Sequence, residues 1–78
     1  MLDLIICSAE RKIFQGEIEA VYVPAKQGDF QILSGHAPLL AVLDKGNVRI
    51  RTQREEKNFS IEDGFIEVHN NEVTLLIK

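Results

Sequence analysis

The apolar residues of this chain come in short β-branched runs, and turn residues close each run. No segment keeps a helical period for three turns, and Ile and Val lead the apolar set. Side chains branched at Cβ suit a pleated, half-buried sheet surface and crowd a helix. The first runs are Leu2 to Cys7, Ile13–Phe14 closed by Gly16, and Glu17 to Val23 ended by Pro24. Gly28 to Leu33 and Leu39 to Leu43 follow. Proline cannot donate to a sheet ladder, so Pro24 marks a strand end. Asp44–Lys45–Gly46–Asn47 reads as a hairpin turn.

The second half alternates more cleanly. Val48, Ile50 and Thr52 alternate with Arg49, Arg51 and Gln53, the pattern of a strand with one charged face. Arg54–Glu55–Glu56–Lys57 is a solvated turn, after which Phe59 and Ile61 alternate with polar residues. Asp63–Gly64 breaks the chain before Ile66 and Val68 alternate with Phe65, Glu67 and His69. Asn70–Asn71 is a tight turn, since asparagine tolerates positive φ. Val73 to Ile77 is apolar on both faces. About eight to ten short strands with regular turn signals predict an all-β fold, a β-sandwich or flattened barrel of two sheets. At 78 residues the chain has room for a single domain, residues 1–78.

Composition excludes several function classes. Acidic residues outnumber basic ones, 12 to 9, which disfavours a nucleic-acid binder. With one cysteine, Cys7, no intramolecular disulfide can form. The longest apolar run, Ala37 to Leu43, falls well short of the ~20 residues of a membrane span. No secretory signal is visible at Met1–Leu2–Asp3–Leu4.

Catalytic and metal chemistry find little support. His36, His69 and Cys7 lack the close pairing of metal ligands. Asp29, Ser34 and His36 contain the residue types of a hydrolytic triad, but no nucleophile elbow surrounds Ser34. The glycines form no phosphate loop. Arg49, Arg51 and Arg54 lie close to Glu55, Glu56 and Glu62, which favours cross-strand ion pairs over a nucleic-acid patch. Lys45, at the expected hairpin tip of a small acidic β domain, supports an alternative, a lipoyl-type carrier domain modified on that lysine. Gly46 follows it where Ala or Val is usual in such domains. The stretch Gly28 to Leu40 is both apolar and rich in Gly and Pro, so it either folds onto the core or meets another protein.

Within that stretch, Gly35–His36–Ala37–Pro38–Leu39–Leu40 closely resembles the signature of the epsilon subunit of F-type ATP synthase. The resemblance covers nearly the whole chain. It runs through Ser8–Ala9–Glu10, Phe14–Gln15–Gly16–Glu17, Val21–Tyr22–Val23–Pro24 and Gly28–Asp29–Phe30. It continues through Gly46–Asn47–Val48–Arg49–Ile50, Gly64–Phe65–Ile66–Glu67–Val68 and Asn71–Glu72–Val73–Thr74–Leu75–Leu76.

The resemblance implies a β-sandwich and a non-catalytic place in the rotor, one copy per complex. The domain would bind the gamma subunit and the polar loops of the c-ring. It would couple proton or sodium translocation to ATP synthesis, at the cytoplasmic face of a bacterial inner membrane. No cofactor is implied. Family correspondence places Asp29 and His36 in the c-ring-facing loop and Ile13 and Asn47 near the gamma-facing surface, and Phe30 and Ile32 beside Asp29 are expected to add apolar contact to the ring. Asn47 departs from the usual apolar residue, as do Ala25 from Gly, Ser34 from Pro and Asp63 from Gly. The 78 residues stop where many members continue into a C-terminal helical hairpin that inhibits hydrolysis, so the chain is expected to lack that brake.

Overall fold

The computed structural model describes residues 1–78 and contains nine strands and no helix. They are β1 (Leu2–Cys7), β2 (Lys12–Ile18), β3 (Ala20–Val23), β4 (Phe30–Leu33), β5 (Leu39–Leu43), β6 (Gly46–Arg51), β7 (Glu56–Ile61), β8 (Gly64–His69) and β9 (Glu72–Ile77). A five-stranded sheet runs β2-β1-β9-β8-β5 and a four-stranded sheet runs β4-β3-β6-β7. The pairs are antiparallel except β1 with β9, which places the first and last strands side by side in parallel. The expected two-sheet all-β architecture is what forms.

Four connections join strands of one sheet, and four cross between sheets, with β4–β5 and β5–β6 crossing in succession. The β1–β2 turn is closed by Ser8, whose backbone N–H donates to the Arg11 carbonyl at 2.9 Å. The β6–β7 turn is closed the same way by Thr52, donating to the Glu55 carbonyl at 2.9 Å. At the β8–β9 turn both Asn70 and Asn71 take positive φ, 50° and 61°, as their side chains allow.

Two readings of the turns are corrected. Gly16 does not end a strand. It lies inside β2, packed under the Phe14 ring, and the chain leaves the five-stranded sheet at Glu19 instead. Asp44–Lys45 is not a hairpin tip, because β5 and β6 belong to different sheets. It is a corner, tied down by the Asp44 backbone N–H donating to the Pro24 carbonyl at 2.7 Å. Turn residues break a ladder equally well whether the next strand pairs back or crosses over.

Alternation then builds the core. Leu2, Leu4 and Ile6 of β1 face inward beside Val73 and Leu75 of β9 and Ile66 and Val68 of β8. Val21, Val23, Ile32, Val48, Ile50 and Ile61 meet them from the other sheet in one cluster of 16 buried residues. No polar or charged side chain is buried, so the interior carries no desolvated group that would need a partner. Each fully buried side chain contributes about 1.5–3 kcal/mol.

Candidate partner-binding surfaces

The residues assigned to a c-ring contact lie on and around β4, the edge strand of the four-stranded sheet. Asp29 precedes it and is exposed, Phe30 opens it half-buried, and His36 follows it half-buried. Asp29 and His36 therefore lie at opposite ends of the strand, whose four residues extend about 13 Å, instead of converging. Ile32 is corrected. Its side chain is 0% exposed within the core, opposite Val21, so it has no surface to offer a partner. In so short a strand the inward parity falls on Ile32, and Leu33 is the apolar residue left 46% exposed.

Local bonds hold the loop after β4. The His36 backbone N–H donates to the Leu33 carbonyl at 3.1 Å, closing a turn through Gly35 at φ 85°, a conformation that favours glycine. Asn71 reaches across from the β8–β9 turn, and its Oδ1 accepts from the Gly35 N–H at 2.7 Å. His36 Nδ1 lies 2.7 Å from the Ala37 carbonyl, which only accepts, so that nitrogen carries the hydrogen. Asp29, at the far end of β4, is too distant to orient His36, so the triad types do not assemble.

Ile13 and Asn47 do not share a face. Ile13 sits at the β-bulge of β2 between the Ile6–Phe14 and Cys7–Lys12 pairs, half-buried against the core. Asn47 points outward from β6, and its Oδ1 accepts from the Ser60 hydroxyl at 3.1 Å. Asn47 instead shares a shallow hollow with Asp29, Tyr22, Arg49 and Asn58. Arg51 also departs from the expected pairing. Its Nε lies 3.5 Å from Glu19, where the chain enters β3, although Glu56 of its own hairpin stands opposite it in the β6–β7 ladder. Lys45 occupies a sheet-to-sheet corner, so the exposed hairpin tip that a carrier lysine requires is absent.

One exposed apolar surface was not legible from local pattern. On the outer side of the five-stranded sheet, register aligns Val42 with Phe65, Phe65 with Leu76, and Leu76 with Cys7. Side chains opposite one another in a ladder stand on the same face, so these residues form one apolar row across β5, β8, β9 and β1. Phe65 and Leu76 are each 52% exposed, and Leu40, one row along, is 71% exposed. The row floors an open depression of about 530 Å³ between Val42 and the β1–β2 turn. The sequence did carry a sign of it, because Val73 to Ile77 is apolar at both parities.

This small sandwich has a finished core and keeps one loop-bracketed edge and one exposed apolar face open to contact. The comparisons identify its family. Residues 1–78 match the family model for the ATP synthase delta/epsilon chain β-sandwich domain, and the chain belongs to that family. It is 43% identical over 75 residues to an ATP synthase epsilon chain of Leptospira borgpetersenii, covering 96% of this chain and 59% of that relative. It is 46% identical over 72 residues to the ATP synthase epsilon chain of Chlorobaculum tepidum, covering 91% of this chain and 82% of the relative. The fold is shared with a chain of the Euglena gracilis mitochondrial ATP synthase OSCP/F1/c-ring structure at a TM-score of 0.92 and 19% identity, covering 97% of this chain and 49% of that one. A chain of the Tetrahymena thermophila mitochondrial ATP synthase central stalk/c-ring structure matches at 0.82 and 17% identity, covering 97% of this chain and 62% of that one.

Proposed function

We propose that this domain is a non-catalytic central-stalk element of an ion-driven F-type ATP synthase, peripheral to a bacterial inner membrane on its cytoplasmic side. It holds the gamma subunit with the outer face of its five-stranded sheet and meets the c-ring loops along the β4 edge. One copy serves each complex, and protons or sodium ions drive the ring. The observation that supports this most is the apolar row of Val42, Phe65 and Leu76, exposed on a domain whose core is already complete. A row of this kind gives a partner roughly 0.7–1.5 kcal/mol for each half-exposed side chain it covers.

Transmission of torque needs two contacts on one stiff body. The sandwich supplies the stiffness through 47 backbone hydrogen bonds and a core without polar gaps. The five-stranded face then carries the load of the shaft. The β4 edge, through Asp29, Phe30, Leu33 and His36, reads the ring. An exposed carboxylate such as Asp29 contributes only about 0.5–1 kcal/mol to a cationic loop residue, so its role is orientation.

The reading is tested by co-purification and by coupling. The domain is expected to co-elute with the gamma subunit, and a free monomer with no affinity for gamma would overturn the proposal. Asp29→Lys is expected to leave assembly intact and reduce ATP-driven ion pumping in inverted vesicles. Unchanged pumping would remove Asp29 from the ring contact.

A further inference from the structure

The loop from β4 to β5, residues 34–38, is held to the rest of the domain at a single point. Gly35, Ala37 and Pro38 are exposed and His36 is half-buried, so the core grips little of it. Two of its hydrogen bonds are local. The His36 backbone N–H donates to the Leu33 carbonyl at 3.1 Å, and its Nδ1–H donates to the Ala37 carbonyl at 2.7 Å. These bonds shape the loop without fixing where it stands. The bond that fixes it runs from the Gly35 N–H to Asn71 Oδ1, 2.7 Å long and spanning 36 positions of the chain. Gly35, at φ 85°, can adopt other conformations at little cost, so an untied loop would pivot there.

Asn71 is itself well anchored. It is half-buried at φ 61°, and its carbonyl accepts from the Asp3 N–H at 2.9 Å, which ties the β8–β9 turn to the start of β1. Asn71 therefore joins the five-stranded sheet to the loop that leaves the four-stranded one. No other side-chain hydrogen bond crosses from one sheet and its turns to the other. The tie also sets what the loop presents. With Nδ1 holding its hydrogen on the Ala37 carbonyl, Nε2 of His36 is the ring nitrogen left over, without a partner in the domain and open to solvent.

We propose that Asn71 is a positioning residue for coupling. Through Gly35 it holds the loop against the five-stranded sheet, so that His36 Nε2 is offered to the ring at one fixed place. The inference rests on the reading above, in which the ring meets the β4 edge and the shaft meets the five-stranded sheet. Load then has to pass from one sheet to the other. A loop that pivots under load absorbs part of each step, whereas a tied loop passes it to the sheet that bears the shaft. Loss of one hydrogen bond lowers the ratio of docked to undocked loop roughly 2–10-fold.

The test places Asn71→Gly and Asn71→Asp in the assembled complex and measures ion pumping per ATP hydrolysed in inverted vesicles, with Asp29→Lys alongside. Asn71→Gly keeps the positive φ and loses the acceptor, while Asn71→Asp keeps both, since aspartate tolerates that conformation and its Oδ1 still accepts. Asn71→Gly is expected to co-purify with gamma as the wild type does and to pump fewer ions per ATP, most visibly against a steep opposing gradient. Asn71→Asp is expected to restore the wild-type ratio, a rescue that a general loss of stability would not show. Normal pumping in Asn71→Gly beside impaired pumping in Asp29→Lys would overturn the positioning role and leave the ring contact standing. Normal pumping in both would remove the ring contact itself, and the inference with it. Equal losses in Asn71→Gly and Asn71→Asp would mean that the acceptor is not what matters, and would overturn the inference as well.

Discussion

The two sheets treat their outer faces differently. On the four-stranded sheet, the Arg49 guanidinium lies over the Tyr22 ring at 4.3 Å, Arg51 pairs with Glu19 at 3.5 Å, and the Ser60 hydroxyl donates to Asn47 at 3.1 Å. Its polar and aromatic groups find partners inside the domain. On the five-stranded sheet the apolar row stays exposed, and Asp3, Glu17 and Glu72, neighbours in the β2-β1-β9 ladders, stay unpaired. Folding needs only the inner faces to be apolar, and both sheets meet that need. What distinguishes them is that one outer face leaves apolar and acidic side chains without partners inside the domain.

The sharpest way to break this contrast is to damage each face in turn. Phe65→Asp with Leu76→Asp is expected to weaken gamma binding by at least 100-fold, because anchors at the centre of an interface each carry about 2 kcal/mol or more. Thermal stability should fall modestly, because the two aspartates would stand directly opposite each other in the β8–β9 ladder, so binding is compared at temperatures where the variant is folded. Arg49→Ala on the other face is expected to leave binding unchanged and to cost about 0.5–1 kcal/mol of stability through the lost stack on Tyr22. Calorimetric titration together with thermal melts reads both quantities. Equal binding losses from the two faces would erase the distinction.

An interior variant calibrates these effects. Ile32→Ala is expected to cost about 3 kcal/mol of folding stability and to lower the melting temperature by on the order of 15 °C. Gamma binding should persist at temperatures where the variant remains folded. If Ile32→Ala instead impairs coupling with stability intact, its side chain acts at a surface that its 0% exposure denies.

Strand positions, face parity and most turns were legible because they are written locally. Val48 to Arg51 and Phe65 to His69 alternate over enough residues to fix which side faces in, and Asn70–Asn71 names its own backbone conformation. The crossings were not legible. Asp44–Lys45 at a sheet change and Asn70–Asn71 at a hairpin are both short polar breaks, and only the pairing of distant strands separates them. The β4 parity was hidden for a related reason, since Phe30, Ile32 and Leu33 are all apolar in a four-residue strand. The candidate site split the same way. The loops around β4 stood out as a Gly-rich and Pro-rich apolar stretch, whereas the apolar row needs register from four strands that are far apart in the chain.

A smaller effect tests how the β4 end is held. Asn71 supplies both the positive φ of its turn and the acceptor for the Gly35 N–H, so its two roles can be separated. Asn71→Ala removes both and is expected to cost about 1–2 kcal/mol. Asn71→Gly keeps the backbone conformation and loses only the tie, at about 0.5–1 kcal/mol. Amide exchange at Gly35 and His36 should rise in both variants, while exchange in β8 and β9 should rise mainly in the alanine variant. Unchanged exchange at Gly35 would show that the loop is held by its own turn alone.

The smallest expected effect asks why the four-stranded face is self-sufficient. Ala20 points outward yet is 0% exposed, with Leu33 beside it on β4 and Arg51 beside it on β6. Exposed ion pairs are worth about 0–1 kcal/mol, and the Arg51–Glu19 pair, 45% and 43% exposed, does not itself cover Ala20, so charge is the weaker explanation. The arginine stem lying over Ala20 is the stronger one. Arg51→Met, which keeps the stem, should then match the wild type in stability, while Arg51→Ala should lose about 0.5–1 kcal/mol at low and high salt alike. A loss in Arg51→Met that equals the loss in Arg51→Ala, and that vanishes in high salt, would return the credit to the ion pair. The contrast between the faces would then be one of paired against unpaired charge, not of covered against uncovered surface.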